Sequence, residues 1–278
     1  MEQATEFVQT PAISASARMR RRLRTFAEVV LPPTIFFGLA ITAWQVYVTV
    51  KEIPTIIMPK PSEILARLLE DPHYFFIENG MVTFTEALSG FVIGSIAALM
   101  LAVFLARSRA LERSIFPLAV VIRATPLIVI APLLIIWFCY SIYPKIIMAA
   151  LLCFFPVLVN TIIGLRSVSP TSLEFFHSVA ASEWEILTRL RAPHALPYVL
   201  SAFKTAVTLS VIGAVVAEWS GAGEGLGRLI FWQASLLNQP SVFAAIVVLA
   251  LMGVALTLMV AWLEKILDRK STRLNSSH

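Results

Sequence analysis

Residues 171–197 read TSLEFFHSVAASEWEILTRLRAPHALP, a mostly polar stretch between two long apolar runs. Its local signals predict two short helices joined by a hinge. Thr171 followed by Glu174 fits a capping box, in which a hydroxyl and a carboxylate each satisfy an orphan backbone N–H at a helix start. Ser182 followed by Glu185 fits a second. In the second helix Trp184, Leu187 and Leu190 fall on one face, and Glu185 precedes Arg189 by four residues, the favoured order for an ion pair. Pro193 is expected to stop or bend whatever follows. Such an element between two membrane spans offers a knob to something outside the bilayer.

Composition sets the class. The 278 residues are 58% hydrophobic and 14% charged, with a mean hydropathy of +0.81, which excludes an ordinary soluble globular domain. The formal charge of +5 raises nucleic acid as a partner. The basic residues sit beside apolar runs, however, where orientation in a membrane explains them better, and no nucleic-acid partner is expected. Cys139 and Cys153 both lie in apolar runs and read as small buried residues; neither a disulfide nor a metal site is suggested, and no cofactor is expected.

Working outward, the apolar runs predict an all-α polytopic membrane protein with six transmembrane helices, at about 26–50, 82–106, 115–140, 146–165, 199–219 and 242–263. Residues 1–25 form an N-terminal tail whose first 17 residues read as disordered, and 26–265 a single transmembrane domain. Residues 266–278 form a polar tail, whose last eight, STRLNSSH, break so abruptly in composition that they are set aside from the fold. Pro32 and Pro33 are expected to kink the first span. Residues 53–72, IPTIIMPKPSEILARLLEDP, carry three early prolines and then an Ile64, Leu65, Leu68, Leu69 stripe with Ser62 as its cap, and read as a helix lying along the membrane surface. Gly90 and Gly94 form a GxxxG pair suited to close helix contact, although chance small residues in a membrane helix would look the same. The third span is broken by Pro117, Pro126 and Pro132, and Arg123 inside it lies either within the membrane or at the mouth of the span, the second being favoured. Asn160 sits in the fourth span and Glu218 at the far end of the fifth; with Arg123 they are the candidate pathway residues. Lys204, one turn into the fifth span, is expected to snorkel to the surface.

Six spans place both termini on one side. The segments on that side carry 14 basic residues, among them Arg18, Arg20, Arg21, Arg22 and Arg24, against five on the other: Lys51, Lys60, Arg67, Lys145 and Arg228. The asymmetry puts both termini and residues 171–197 in the cytoplasm.

The spacing Glu174, Ala180, Ala181, Ser182, then Leu190, Pro193 and Pro197, resembles the EAA loop in permease subunits of binding-protein-dependent ABC importers. Two departures stand out. Phe175 and Phe176 replace the usual Ala-Ala, and Ala180 replaces the usual hinge Gly, so the hinge is expected to be tighter or more helical. Residues 58–63 and 123–138 resemble the nitrate/sulfonate/taurine branch of these permeases, and Gly225-Leu226-Gly227 a re-entrant turn of the same family on the outer side. The resemblance implies a non-catalytic subunit of the bacterial inner membrane. ATP hydrolysis would belong to a separate ATPase, since no phosphate-binding loop occurs in the chain. It further implies a coupling loop built from Glu174, Ala180, Ala181, Ser182, Trp184, Glu185, Leu187, Arg189, Leu190, Pro193 and Pro197, a homodimer, two ATPase copies and an external solute-binding protein. The substrate would be a small nitrate-, sulfonate- or taurine-like anion, or a pyrimidine resembling a thiamine precursor.

Two rivals compete. An ion-coupled secondary transporter buries ionisable residues at mid-membrane, and only Arg123 qualifies in the sequence. An intramembrane enzyme needs a His, Asp or Glu cluster within a span, whereas His73, His177 and His194 all fall in loops.

Overall fold

The computed structural model describes residues 15–106, 129–221 and 223–275. Every regular element among them is helical: α1 (Ala15–Val50), α2 (Pro61–Glu70), α3 (Tyr74–Ala106), α4 (Ile130–Phe138), α5 (Tyr143–Arg166), α6 (Pro170–Ser178), α7 (Glu183–Trp219), α8 (Leu226–Ser235) and α9 (Gln239–Asn275). The chain falls into two units, Met1–Ser62 and Glu63–His278.

In the first unit α1 starts at Ala15, well before the expected residue 26, and runs through Pro32 and Pro33 without interruption. After it the chain turns on Pro54, whose carbonyl accepts the N–H groups of Ile57 and Met58. Gln45 holds Ser62 twice: its Nε2 donates to the Ser62 hydroxyl and its Oε1 accepts the Ser62 N–H, both at 3.1 Å. Ser62 is therefore the second residue of α2 and engaged with Gln45, not the free cap expected of it.

The second unit is built on α3, α5, α7 and α9. Gly90 and Gly94 of α3 press on α5 so closely that a Cβ on Gly94 would stand 2.5 Å from the Ala150 carbonyl and 2.7 Å from Cys153 Sγ. Gly213 of α7 meets the same segment, its Cβ position 2.7 Å from Ala149 Cα. Small residues here replace side-chain interdigitation with backbone approach, the way helices gain contact when lipid supplies no hydrophobic drive. Buried Ala87, Phe91, Ala98, Leu105, Cys153, Val157, Ala206, Val207, Ala214 and Leu256 complete the core. Cys153 is buried, as its apolar run suggested, while Cys139 is exposed and ends α4 with φ +56. Lys204 does not snorkel freely: its ammonium pairs with Glu264 of α9. At the start of α9, Ser241 accepts a hydrogen bond from Arg67 Nε at 3.0 Å, with the Arg67 guanidinium over the Phe75 ring.

Five helices among the described residues are long and apolar enough to cross a membrane: Leu31–Val50, Tyr74–Ala106, Tyr143–Arg166, Glu183–Trp219 and Gln239–Ile266. The predicted third span, with Arg123, Pro117 and Pro126, lies outside the described residues apart from its end at α4. The helix α9 continues through Asn275, past the compositional break at Ser271.

Candidate functional site

The loop between α5 and α7 is ordered by caps. Ser169, extended at φ −63 and ψ 143, is the N-cap of α6, its hydroxyl accepting the Ser172 N–H at 3.2 Å. The expected box of Thr171 and Glu174 does not form. Pro170 decides this, since a proline pushes the residue before it into extended backbone and itself suits the first helical position. Thr171 is thereby already helical, and Glu174 is exposed on the helix surface.

The helix ends in a Schellman turn. Ala180 N–H donates to the His177 carbonyl and Ala181 N–H to the Phe176 carbonyl, each at 3.0 Å. Ala180 sits at φ +52, so of the two expectations for the hinge, tighter or more helical, the second is not met: the hinge is a left-handed turn closed by two backbone bonds. The two closing bonds outweigh the cost of a Cβ in the left-handed region, roughly 1–2 kcal/mol.

The second box forms as read. Ser182 Oγ accepts the Glu185 N–H at 3.3 Å, and Glu185 Oε2 accepts the Ser182 N–H at 3.0 Å. Arg189 approaches Glu185 at 3.9 Å. Beyond Glu185 the helix widens into a π turn over Ile186–Arg191 and continues without a break to Trp219. The wide turn makes room for the Pro193 ring, so Pro193 does not stop the helix, and Pro197 lies within the same helix. The π turn also changes the phase of the helix. Ile186 and Leu187 are buried, Leu187 packing with Leu165 and Ala195, while Leu190 is half-buried. Trp184 does not share their face and is 61% exposed. With Leu173, Arg166, Glu183 and Arg191 it lines a cleft of about 740 Å³ at the end of the bundle.

At the opposite end lies a polar cluster. Glu218, fully buried near the end of α7, accepts the Thr83 hydroxyl at 2.6 Å on Oε1 and the Gly227 N–H on Oε2. Thr83 Oγ1 in turn accepts the Leu226 N–H at 2.9 Å, and Asn79 Oδ1 the Gly225 N–H at 3.1 Å. One turn after Thr83, buried Glu86 meets Lys145 of α5 at 2.8 Å.

A family profile described as "Binding-protein-dependent transport system inner membrane component" matches residues 90–273. The chain belongs to this family. It is 33% identical to the formylaminopyrimidine transport permease protein ThiX of Halalkalibacterium halodurans, over 85% of this chain and 94% of that one. It is also 33% identical to the riboflavin transport system permease protein RibX of Chloroflexus aurantiacus, over 93% and 97%. Among solved structures, an amino acid ABC transporter superimposes with a TM-score of 0.58 at 19% identity, over 74% of this chain and 98% of that one, and shares the fold. The protein is thus a multi-pass, non-catalytic permease subunit of an ATP-driven importer that works with a separate ATPase and a binding protein.

Within this permease the predicted loop residues do gather at one end of the bundle, from Glu174 on α6 to Pro197 on α7. The pathway candidates do not gather. Asn160 is half-buried and donates to the Pro156 carbonyl of its own helix at 2.8 Å, Glu218 is at the other end of the bundle, and Arg123 lies outside the described residues. Besides Arg123 as a candidate, two acids are buried near span ends, Glu86 and Glu218, and Glu86 pairs with half-buried Lys145. Their sequence signals were Thr83 and Glu86 one turn apart at the start of a span and an acid nine residues before Gly227. All lie near span ends, where they read as boundary residues.

Proposed function

We propose that an ATPase drives this permease by docking on residues 174–184, and that the exposed apolar side chains of this polar loop carry the contact. Phe175 and Val179 lie outside the five long apolar helices and Trp184 is the second residue of one; they are 63%, 60% and 61% exposed, and this observation bears the reading. Soluble loops rarely leave such side chains uncovered, and aromatic residues are the usual anchors of an interface. Phe175 and Phe176, edge to face at 6.1 Å, stand where the family usually has Ala-Ala, which suits a partner with an apolar groove. Exposed Glu174 supplies a charge beside them. Buried Ile186 and Leu187 tie the loop to the bundle, so a push on Trp184 reaches α7 directly.

The rest of the assembly follows from this reading. Six spans over 26–265 form one permease domain and half a pathway, two copies pair, and two ATPases dock from the cytoplasm, where both termini also lie, in a bacterial inner membrane. Arg123 and Asn160 remain the pathway candidates. ThiX and RibX are named for a formylaminopyrimidine and for riboflavin, which favours a nitrogen heteroaromatic substrate over a small anion. The test is a topology map with capture. A reporter active only outside the cytoplasm should be silent after Ser182 and active after Lys145 or Gly223, and a tag on this chain should retain an ATPase. Activity after Ser182 would end the reading.

A further inference from the structure

From the polar cluster at the end of the bundle remote from Glu174, we infer that Glu218, Thr83 and Asn79 clamp α8 to the spans, so that α8 moves with α3 and α7 as one body and is not a separate gate. A short helix after a glycine turn at the end of a bundle invites the opposite view, of a flap. Its first turn argues against that.

A helix start leaves N–H groups unsatisfied, and in α8 three consecutive ones find side-chain acceptors from two different elements. Gly225 donates to Asn79 and Leu226 to Thr83, both on α3, while Gly227 donates to Glu218 on α7. The Thr83 hydroxyl itself donates a hydrogen bond to Glu218, which joins the acceptors into one network. All three acceptor side chains are buried. Opening α8 would take one of its two donors from the buried Glu218 carboxylate and break the bonds of three N–H groups together, a cost each group adds to. The fit is also steric. A Cβ on Gly227 would stand 2.7 Å from both Glu218 Oε2 and the Val215 carbonyl, and Gly225 sits at φ +117 against the same carboxylate. The two glycines are there because Glu218 fills the space their side chains would need. Leu226 and Leu229 are buried on the same side. The clamp does not depend on which face the ATPase uses.

Amide hydrogen exchange tests it. In the first arm the full chain is placed in lipid nanodiscs as wild type, Thr83→Ser and Thr83→Val. Serine keeps the relay, so amides 225–229 should exchange as slowly as in wild type. Valine keeps the shape and removes both bonds, so Leu226 should exchange at least tenfold faster while the α5 amides are unchanged. Equal protection in the valine variant overturns the clamp. In the second arm the wild-type complex, purified from its own membrane through a tag on this chain, is compared without nucleotide and with ATP and vanadate. Protection of 225–229 should stay within threefold. A tenfold change there would make α8 a gate and overturn the inference, whether or not the valine variant folds.

Discussion

Glu218 and Gly227, nine residues apart, occupy each other's space: the carboxylate accepts the Gly227 N–H and stands where a side chain on residue 227 would begin. Gly227→Ala should therefore force either the carboxylate or the Val215 backbone to shift. Overpacking of this kind costs about 1–3 kcal/mol. Gly223→Ala is the control, because nothing lies within 4 Å of the added methyl. Thermal unfolding in detergent should show a clear loss for the first variant and a change within about 0.5 kcal/mol for the second.

Ala180 gives a prediction of opposite sign. Its φ of +52 suits glycine, and the two bonds that close the turn are made by the backbone. Ala180→Gly should keep both and relieve the strained Cβ, strengthening the turn by about 1 kcal/mol after the greater freedom of an unfolded glycine is allowed for. Slower amide exchange at Ala181 would show this. Ala180→Pro, with φ held near −65, cannot make the turn and should free the loop.

Local features were legible in the sequence and long-range ones were not. The box of Ser182 and Glu185 spans three residues and uses only its own backbone, so reading it needed no fold. The box at Thr171 failed for an equally local reason, the proline at 170, whose effect on residue 169 outranks a spacing match. At Ala180 the propensity of the residue points one way, and two backbone hydrogen bonds that leave no trace in the sequence override it. Gly90 and Gly94 carry two readings in the sequence, and only the close approach of α5, about 60 residues further on, decides between them. Glu218 had no visible role because its partners lie 135 residues before it and nine after it. The π turn before Pro193 left no mark in the hydrophobic pattern, and it turned Trp184 away from Leu187.

The surviving box yields a graded test. Ser182→Ala removes the acceptor for the Glu185 N–H and should cost about 0.5–2 kcal/mol, felt as faster exchange at residues 183–186 and not as loss of the bundle. Glu185→Gln keeps an acceptor for the Ser182 N–H and should be nearly silent. If the two variants behave alike, the loop does not rely on its cap.

Trp184 and Leu187 separate docking from packing. They are three residues apart, yet one is 61% exposed and the other 7%. Leu187→Ala should open a cavity against Leu165 and Ala195, cost about 2–5 kcal/mol and lower the unfolding temperature. Trp184→Ala should leave that temperature unchanged. An interfacial Trp is worth about 2 kcal/mol or more in binding, so the variant should hold its ATPase at least about 30-fold more weakly on co-purification and lose ATP-driven uptake. Glu174→Ala should act in the same direction, because Ser169 caps α6 and leaves Glu174 no part in the cap. Retention of the ATPase by both variants would place the docking face elsewhere on the loop, and a fall in unfolding temperature for Trp184→Ala would mean the indole packs against its own chain.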